Sequence, residues 1–575
     1  MKRADDGSFL QVWRMILFAA SLGAFTLAAA GGTLYVNGAG TGAEKGTEAA
    51  PWRTIGAALK VAKEGDAVRI AAGVYRENLA IAVPKLSLVG AGPDKTIIDA
   101  AKDCGIRIKA DGASVASLCV RNAAKEAAIH MQKCRGAKIS NCAVLDSPTA
   151  AFRCDETADV EILNNSISAC NSGFHLVAST RCTIKGTAMK GCGGVMDIED
   201  TPDCIDAQKP ENFQHTIDGS NTSDGKAIYY RFGAKNETIE NLDLAYLGLA
   251  WSEKMTLRNL TFNKAPAAML VQTHNSTIEK NSFTGCPGAG MYVLNSKSNL
   301  IENNVFKDNA WGLRFECAEE QVVKNNVFTN NKARGIAPWH SRACHLIGNK
   351  VSGSEIGIMF KDCLLSSAVD NDVRDSSLFG IELATFWGAV KNGNKILSNR
   401  VTNAKYAIYV WGGKHLTLKK DTTISGNTMR NCETGVYIAW ATNSMVSGNT
   451  FIDVKNPLGY DATAKNTTTT NARIGVRLKV VVNDARGLPV PDAAVTLDGG
   501  KALEGGKATG EGGTATTGKD GRAELNMILE IKKTLQEVVS CGPYIVKASK
   551  GKAASASAPV DPKGSREVTL KLVER

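Results

Sequence analysis

Several features that would assign a familiar biochemical class are missing from the 575 residues. There is no dense run of Lys and Arg, which argues against nucleic-acid binding. There is no Cys-x-x-Cys pair, which argues against a structural zinc site. Beyond residue 30 no segment is apolar enough to cross a bilayer. The formal net charge of +11 is mild; it suits an acidic glycan, although many exported basic proteins bind nothing through their charge.

Cysteine is present, but its pattern disfavours a ladder of disulfides. The 15 cysteines are an odd number, so at least one lacks an intrachain partner. Cys119 and Cys142 are 23 residues apart, and Cys170 and Cys192 are 22 apart. Residues stacked on neighbouring parallel strands lie about 4.8 Å apart, which is slightly long for a disulfide. Buried free thiols are therefore the favoured interpretation.

The first 30 residues resemble an export signal. Lys2, Arg3 and Arg14 supply positive charge, and the apolar run from Met15 to Ala30 closes on three alanines. This pattern is typical of a signal peptide with a small-residue cleavage site. An uncleaved anchor is the alternative, although the run is short for a spanning helix. The expected location is secreted or at the cell surface, either periplasmic or extracellular.

An asparagine repeat organises the centre of the chain. Asn-x-apolar triplets recur with spacings, by subtraction, of 23, 22, 23, 22, 28, 28 and 22 residues. A period of about 20 to 50 residues indicates a solenoid or an array. The asparagines suit structural corner positions, where stacked side chains bond to the backbone and to each other. The first residues of the eight triplets are Asn281, Asn304, Asn326, Asn349, Asn371, Asn399, Asn427 and Asn449.

Each period also contains a strand-like run after a small residue, as in Gly312 to Glu316 and Gly435 to Ala439. The first and third residues after the small one are mostly apolar, whereas the second and fourth vary. This alternation predicts a strand with one buried face. A repeat of about 22 residues with short strands and no helical period predicts the coils of a parallel β-helix, an all-β solenoid.

A short helix is predicted near the start of this solenoid. Ile55, Ala58, Leu59 and Ala62 fall on one helical face, and Thr54 is a candidate N-cap. The end of a solenoid exposes an apolar core and open strand edges, so it needs a cover. We expect this helix to be that N-terminal cap.

The same region carries a family resemblance. The order PWRTI, AL, GD, GxY and TIID between Thr33 and Ala100 resembles the N-terminal segment of right-handed parallel β-helix proteins of the pectate-lyase-like superfamily. With the asparagine repeats, the resemblance covers about Thr33 to Asp453 and implies a β-helix over residues 31–455. The superfamily includes polysaccharide lyases, glycoside hydrolases, epimerases, phage tailspikes and non-catalytic surface proteins, so fold does not choose the activity. The Asp-Asp-x-Asp and Asp-Pro-His-Glu patterns of its calcium-dependent pectate lyases and mannuronan epimerases are absent.

The C-terminal part has a different character. Residues 456–474 are rich in Thr and Asn and are expected to be a linker. Residues 475–575 resemble a small β-sandwich of the carboxypeptidase-regulatory or transthyretin-like type, through DxxGxPVxxAxVTL-like text. That resemblance implies an adhesive or spacer module without catalysis. Met527 to Ser540 is expected to be a short helix within it.

Four irregular stretches interrupt the repeat. Pro210 to Asp224 is expected to be a loop projecting from one corner. Two 28-residue periods carry insertions that suit a binding face; they contain Phe386, Trp387, Lys391, Trp411, Lys414 and His415. An acidic stretch suits either a calcium loop or a solvated turn, and the turn is favoured, so no cofactor is expected. Its members are Asp197, Glu199, Asp200, Asp203 and Asp206.

The outward positions of successive strands should form one surface strip, because stacked coils place equivalent residues about 4.8 Å apart. The strip is rich in aromatic and polar side chains, which suits a sugar chain better than a bland exposed sheet does. The expected substrate-binding residues are Tyr292, Trp339, Trp411, Tyr437 and Trp440.

The densest ionisable cluster of the strip spans four coils and supports three alternatives. In a lyase, Arg314 or Lys361 neutralises a uronate while a base such as His340 removes the C5 proton. In an inverting hydrolase two carboxyl groups lie roughly 6.5–9.5 Å apart. In the third alternative the charges simply pair at the surface. The candidate catalytic residues are Arg314, Glu316, His340, Lys361, Asp362 and Glu382.

The sequence therefore predicts an exported, carbohydrate-directed β-helix protein, expected to be a monomer. It would bind a polysaccharide, and a lyase or hydrolase activity is one option. The other option is a non-catalytic cell-surface or adhesion protein that uses the β-helix as a binding scaffold.

Overall fold

The computed structural model describes residues 31–100, 103–200, 208–264, 268–385, 393–412, 421–499, 513–534, 536–551, 553–561, 564 and 566–573. The export signal predicted for residues 1–30 lies outside these residues. So do Asp203, Asp206 and most of the two insertions, namely Phe386, Trp387, Lys391, Lys414 and His415.

The chain is a β-solenoid whose coils stack as parallel strands on three faces, as the repeat predicts. Sheet 1 precedes the asparagine corner, sheet 2 follows it, and sheet 3 contains the runs after a small residue. The strands of sheet 1 are Thr33–Val36, Ala67–Ile70, Ser87–Gly90, Ser114–Ala116, Lys138–Ser140, Glu161–Leu163, Thr183–Lys185 and Thr216–Ile217, then Thr238–Glu240, Thr256–Arg258, Thr277–Glu279, Leu300–Glu302, Val322–Lys324, His345–Ile347, Ser367–Val369, Lys395–Leu397, Thr423–Ser425, Met445–Ser447 and Thr468–Thr470.

Sheets 2 and 3 continue each coil. The strands of sheet 2 are Gly73–Tyr75, Thr96–Asp99, Cys119–Arg121, Ala143–Leu145, Ser166–Ser168, Ala188–Lys190, Thr222–Ser223, Thr261–Asn263, Ser282–Thr284, Val305–Lys307, Val327–Thr329, Lys350–Ser352, Asp372–Arg374, Arg400–Thr402, Thr428–Arg430 and Thr450–Ile452. The strands of sheet 3 are Leu79–Ile81, Ile106–Ile108, Ala127–Gln132, Ala150–Asp155, Ser172–Val177, Gly194–Glu199, Ala268–Val271, Ala289–Leu294, Trp311–Glu316, Arg334–Trp339, Ile356–Lys361, Phe379–Thr385, Tyr406–Gly412, Thr434–Ala439 and Asn456–Tyr460.

Two longer strands, Lys226–Phe232 and Asp243–Ala250, join the two halves. Asp243–Ala250 pairs in parallel with a sheet 2 strand through its first residues and with a sheet 3 strand through its last. The stretch before this junction corrects one expectation. Within Pro210 to Asp224, a 3-10 helix (Pro210–Phe213) is followed by two short strands that stack in register on sheets 1 and 2. Much of this segment is therefore a coil of the solenoid, because it can pair with the coil beneath it.

The asparagines form a buried hydrogen-bonded ladder along the corner between sheets 1 and 2. Asn326 Nδ2 donates to Asn349 Oδ1 at 3.0 Å, and Asn349 Nδ2 donates to Asn371 Oδ1 at 2.9 Å. Each side chain also bonds to backbone, as in Asn349 Nδ2 to the Val323 carbonyl at 2.9 Å. The predicted stacking is thus present. The left-handed backbone belongs to the preceding residue, as at Asn325 with φ 55°, and not to the ladder asparagine.

The interior is apolar and stacked. The rings of Phe262, Phe283, Phe306 and Phe328 lie face to face with centroids 4.7–4.8 Å apart, one per coil. Cys119, Cys142, Cys170 and Cys192 are free thiols, as the strand spacing favours.

A single α-helix among the described residues, α1 (Ile55–Val61), lies near the start of the chain. The Thr54 hydroxyl accepts from the Ala57 N–H at 3.2 Å, as predicted, and Glu77 accepts from the Ile55 and Gly56 N–H groups. Ile55 and Ala58 are buried, so the predicted face does point inward. The helix is one residue shorter than expected, since Ala62 is its C-cap.

The C-terminal residues correct two further expectations. Residues 456–474 are not a linker: Asn456–Tyr460, Thr468–Thr470 and the start of Ala472–Asn483 pair in register with the preceding coil. The helix expected over Met527 to Ser540 is absent from the described residues of that range, because Met527 to Lys532 and Val538–Ser540 are strands that pair with their neighbours. The C-terminal strands are Ala472–Asn483, Ala494–Gly499, Gly513–Thr516, Arg522–Lys532, Val538–Ser540, Tyr544–Lys550, Ala553–Val560 and Glu567–Lys571.

Candidate functional site

Sheet 3 presents three outward rows of side chains in its second half. The middle and last rows contain the predicted strip, and the corner after the last row holds His340, Asp362 and Trp440. The middle row is Tyr292, Arg314, Ala337, Met359, Glu382, Tyr409 and Tyr437, and the last row is Leu294, Glu316, Trp339, Lys361, Ala384, Trp411 and Ala439.

His340 lies between two carboxylates from the neighbouring coils. Its Nδ1 is 3.9 Å from Glu316 Oε1, and its Nε2 is 3.6 Å from Asp362 Oδ2. Both carboxylate side chains are nearly buried, at 5% and 6% exposure, whereas the imidazole is 31% exposed. These separations are ion-pair distances and are too long for hydrogen bonds. The arrangement places a titratable ring at the surface with acidic groups on both sides.

Glu316 is held by two further partners. The Tyr292 hydroxyl donates to Oε2 at 2.9 Å, and Arg314 Nη2 donates to the same oxygen at 2.6 Å. Burial, followed by the negative charge of Glu316, raises the pKa of Tyr292 well above its usual range. Tyr292 therefore stays protonated and acts here as a hydrogen-bond donor.

Trp339 is enclosed by cations from the coils on either side. The Arg314 guanidinium lies 4.7 Å from the ring centroid and the Lys361 ammonium 4.2 Å from it. Since one cation comes from the preceding coil and the other from the following coil, both ring faces are occupied. Trp339 thus orients positive charge by cation–π attraction and does not offer a free face to a sugar.

Glu382 lies one coil beyond Lys361 in a drier environment. Burial raises its pKa to about 7, while Arg334 lowers it and Glu355 raises it. Its Oε2 has no hydrogen-bond partner among the described residues. A buried carboxyl group of this kind can hold or release a proton near neutral pH.

Three buried polar atoms of this patch lack hydrogen-bond partners among the described residues: Arg314 Nε, Trp339 Nε1 and Glu382 Oε2. Buried polar groups are normally satisfied, so a cluster of exceptions points to an external partner. Two are donors and one is a carboxylate oxygen, which is the mixture a hydroxylated or acidic ligand would satisfy.

The other aromatic residues predicted to stack on sugars are Tyr437, Trp411 and Trp440, and the first two of them pack against other residues of the protein. Tyr437 stacks on Tyr409 at 5.5 Å, and its other face lies on Gly459, where an added Cβ would be 2.7 Å from the ring. Trp411 packs against a small outer apolar cluster that includes Ala384. Trp440 lies at a corner with φ 55°. Tyr437 therefore does not have the free face expected of it.

Two residues of the patch were missed by sequence reasoning. Trp311 and Arg334 occupy the first outward row, one position before the small residue, and Arg334 lies 4.3 Å over the Trp311 ring. Trp311 also meets Trp339 edge to face at 5.2 Å. The sequence does contain a pattern that could have revealed them. The position before the small residue is Trp311, Arg334, Ile356, Phe379 and Tyr406 in five successive coils.

No metal site is supported in the described part of the chain. No group of three or more His, Cys, Asp and Glu residues there could hold a metal ion. In the acidic stretch, His175 is bonded to Glu199, and Asp200 accepts from the Lys209 N–H and from Asn212 Nδ2. None of the described helices could span a membrane.

The stacked parallel coils define a right-handed parallel β-helix protein, in agreement with a family model described as "Right handed beta helix region" that matches residues 94–208 and 357–480. A second model, described as "Periplasmic copper-binding protein (NosD)", matches residues 218–389. The search of curated proteins found no match.

Solved structures with a similar course include carbohydrate enzymes. The catalytic unit of an α-1,3-glucanase from Streptomyces thermodiastaticus is 13% identical, with 75% of this chain and 66% of that chain covered and a TM-score of 0.31. The periplasmic alginate epimerase AlgG is 11% identical, with coverage of 59% and 77% and a TM-score of 0.26. A bacteriophage CBA120 tailspike is 10% identical, with coverage of 72% and 57% and a TM-score of 0.28. The chain thus spans less than two thirds of the glucanase and tailspike chains, and likenesses this weak carry no information on activity.

Proposed function

We propose that this is an exported carbohydrate-directed protein that binds an acidic polysaccharide across sheet 3 and cleaves it at the His340 cluster. The observation that carries the proposal is the group of unsatisfied buried polar atoms, Arg314 Nε, Trp339 Nε1 and Glu382 Oε2, on the outward face of the sheet 3 strands around His340. Arg314, Arg334 and Lys361 supply positive charge for a carboxylated sugar. Each of these cations lies over an aromatic ring, and Arg314 is also paired with Glu316.

The geometry favours proton abstraction over two-carboxylate hydrolysis. Glu316 and Asp362 are two coils apart, roughly 9.6 Å by the coil rise. An inverting pair needs this gap for a water molecule, but the His340 ring occupies it. In a lyase mechanism, His340 takes the C5 proton, Arg314 or Lys361 stabilises the developing negative charge, and Glu316 and Asp362 orient the base. The C4=C5 double bond then forms as the C4–O bond to the leaving sugar breaks, and the leaving oxygen takes a proton from water.

Turnover on a panel of uronate and neutral polysaccharides tests this proposal. We expect an unsaturated product that absorbs in the ultraviolet, and at least a 100-fold loss of rate in His340→Gln. His345→Gln is the matched control, because His345 lies on sheet 1 and bonds to Ser367. Reducing ends without ultraviolet absorbance would indicate a hydrolase instead.

The rival function is a non-catalytic surface or adhesion protein. It is favoured by the occupied faces of Trp339 and Tyr437, which leave fewer stacking platforms than expected. Binding of a glycan without any product, unchanged in His340→Gln, would establish this alternative.

The NosD description names a periplasmic copper-binding protein. The periplasm agrees with the export segment expected at residues 1–30, so we propose an extracytoplasmic location. We propose no copper role, since no group of three or more His, Cys, Asp and Glu residues in the described part of the chain could hold a metal ion. We further propose that α1 covers the start of the solenoid and that the C-terminal strands form the spacer module resembling a carboxypeptidase-regulatory sandwich.

A further inference from the structure

We propose a separate oxyanion-binding site on sheet 2, on a different face from the polysaccharide strip. A cleft of about 290 Å³, named here the arginine cleft, lies near the last coils of the solenoid. Its lining consists of Arg374, Arg400, Thr402, Asn403, Arg430, Asn431 and Arg477. The lining therefore contains four guanidinium groups and no carboxylate.

Two of these arginines are already neutralised. Arg374 pairs with Asp372 at 2.6 Å, and Arg477 pairs with Asp453 at 2.6 Å and faces Glu524 at 3.8 Å. Arg400 and Arg430 have no ion pair among the described residues, although they lie on adjacent strands. The cleft therefore retains two arginines that have no ion pair among the described residues.

Arg430 shows the consequence of this arrangement most clearly. Its Nε is buried and has no acceptor among the described residues. Burial, and then the charges of Arg400 and Arg477, lower its pKa, while Glu524 and Asp453 act in the opposite direction. Arg430 as a whole is partly buried, and a buried guanidinium N–H without an acceptor is costly, so the arrangement is best satisfied by an anion that enters the cleft.

The donors define the ligand chemistry. Guanidinium forks match the paired oxygens of carboxylate, sulfate and phosphate. Asn431 Nδ2 donates to Asn403 Oδ1, and Asn403 Nδ2 donates to Asp375. These hydrogen bonds orient the two amide side chains that line the cleft. A second cleft of about 340 Å³ shares Arg374 and continues past Lys350. The oxyanion is therefore either a free ion or a charged group of a longer polyanion.

The proposal is tested by thermal unfolding of the full chain. The Tm in phosphate or sulfate is compared with the Tm in sodium chloride at equal ionic strength. We expect phosphate to raise Tm of the wild-type protein and of Arg69→Gln, an exposed arginine on sheet 1 used as the matched control. Arg400→Gln and Arg430→Gln should bind phosphate at least tenfold more weakly by calorimetry. If a sulfated or uronate oligosaccharide binds more tightly than phosphate, the ligand of the cleft is a charged group of a polymer. If phosphate binds more tightly, the ligand is the free ion.

The Tm of the arginine variants without added phosphate or sulfate shows whether these arginines bind an anion or only stabilise the fold. Arg400→Gln removes a like-charge contact, so we expect its Tm in chloride to be unchanged or higher. The proposal is overturned if wild-type protein gains nothing from phosphate, sulfate or the oligosaccharides beyond chloride, or if the gain persists in both variants.

Discussion

At the residue scale, the environment supplied by neighbouring coils determines what each side chain can do. His340 and Asp362 both adopt left-handed backbone, with φ of 47° and 52°, which turns them from the end of sheet 3 toward the same corner. Non-glycine residues pay a conformational cost there. The same corner position is left-handed in Asn295, Cys317 and Trp440, so the fold and not the chemistry imposes it.

Glu382 should make stability depend on pH. Its pKa of about 7 in the folded protein exceeds the ordinary glutamate value of 4.5, so the folded state binds the proton more tightly than the unfolded state. The associated stability is present below about pH 4.5 and is lost as pH rises through about 7. We expect Glu382→Gln to be more stable than wild type at pH 8, by up to about 3 kcal/mol, and similar at pH 4.5.

Urea unfolding at several pH values measures this difference. Glu279→Gln, a partly exposed carboxylate on sheet 1, is the control and should leave the slope unchanged. Parallel stability curves for wild type and Glu382→Gln would contradict the prediction.

Tyr292 should contribute to stability through its bond to the buried Glu316. Tyr292→Phe removes the 2.9 Å donor and leaves the carboxylate with fewer partners. We expect a loss of about 1–3 kcal/mol in the free energy of unfolding, because a buried acceptor loses its hydrogen bond. Tyr406→Phe, a partly exposed ring on the same sheet, is the comparison in urea unfolding. A loss of the same size in both variants would attribute the effect to the ring packing.

At the element scale, short strands become stable only through the coils above and below them. Each strand of sheet 2 has only two to four residues, too few for independent stability. The asparagine ladder joins these strands by side-chain bonds at every corner from Asn281 to Asn449. The ladder therefore supplies bonds that connect coils in addition to the backbone pairing.

Asn349→Ala should be strongly destabilising. The change removes its bonds to Asn371 and to Val323, and leaves the Asn326 side chain and N–H without the Asn349 acceptor. We expect a loss of about 3–5 kcal/mol, since several buried groups become unsatisfied.

The neighbouring residue provides the control. Lys350→Ala changes an exposed side chain in the same coil and should alter the free energy of unfolding by less than about 0.5 kcal/mol. Similar losses in the two variants, measured in urea, would show that the ladder is not a principal source of stability.

At the scale of the whole molecule, the solenoid and the C-terminal strands share structure. Ala472–Asn483 starts in the last coil beside Thr450–Ile452 and then pairs with Arg522–Lys532 and Glu567–Lys571. Ile452 of that coil belongs to the C-terminal core. The end of the solenoid is therefore covered by the residues that follow it.

Truncation after residue 474 should consequently destabilise the solenoid. It removes the partners of a strand that continues from the last coil and exposes Ile452, leaving an open edge and an uncovered core. We expect a lower Tm and stronger binding of a hydrophobic dye than in the full chain. An unchanged Tm would show that the C-terminal strands are only tethered, as a linker at residues 456–474 would have implied.

Local sequence patterns predicted much of the solenoid architecture, but they predicted fewer of the contacts within the candidate site. Period-two alternation revealed which side chains face outward, because strand geometry is local. It could not show that Arg314 and Lys361 cover Trp339, or that Tyr437 rests on Gly459, since those contacts depend on side-chain directions between coils. The extra coil at residues 456–474 was missed for a related reason. Its Thr- and Asn-rich strands have weak local signals and are held by pairing with the coil before them.

The sequence by itself determined the coil repeat, the asparagine corner and the outward positions of Arg314, Glu316, Lys361 and Glu382, because a fixed period places equivalent residues on one face. Only the tertiary structure decided that His340 lies between Glu316 and Asp362, that burial moves the pKa of Glu382, and that Arg400 and Arg430 share a cleft without a carboxylate. The physical reason is that charge, burial and hydrogen bonding at these positions depend on neighbours more than 20 residues away in the chain.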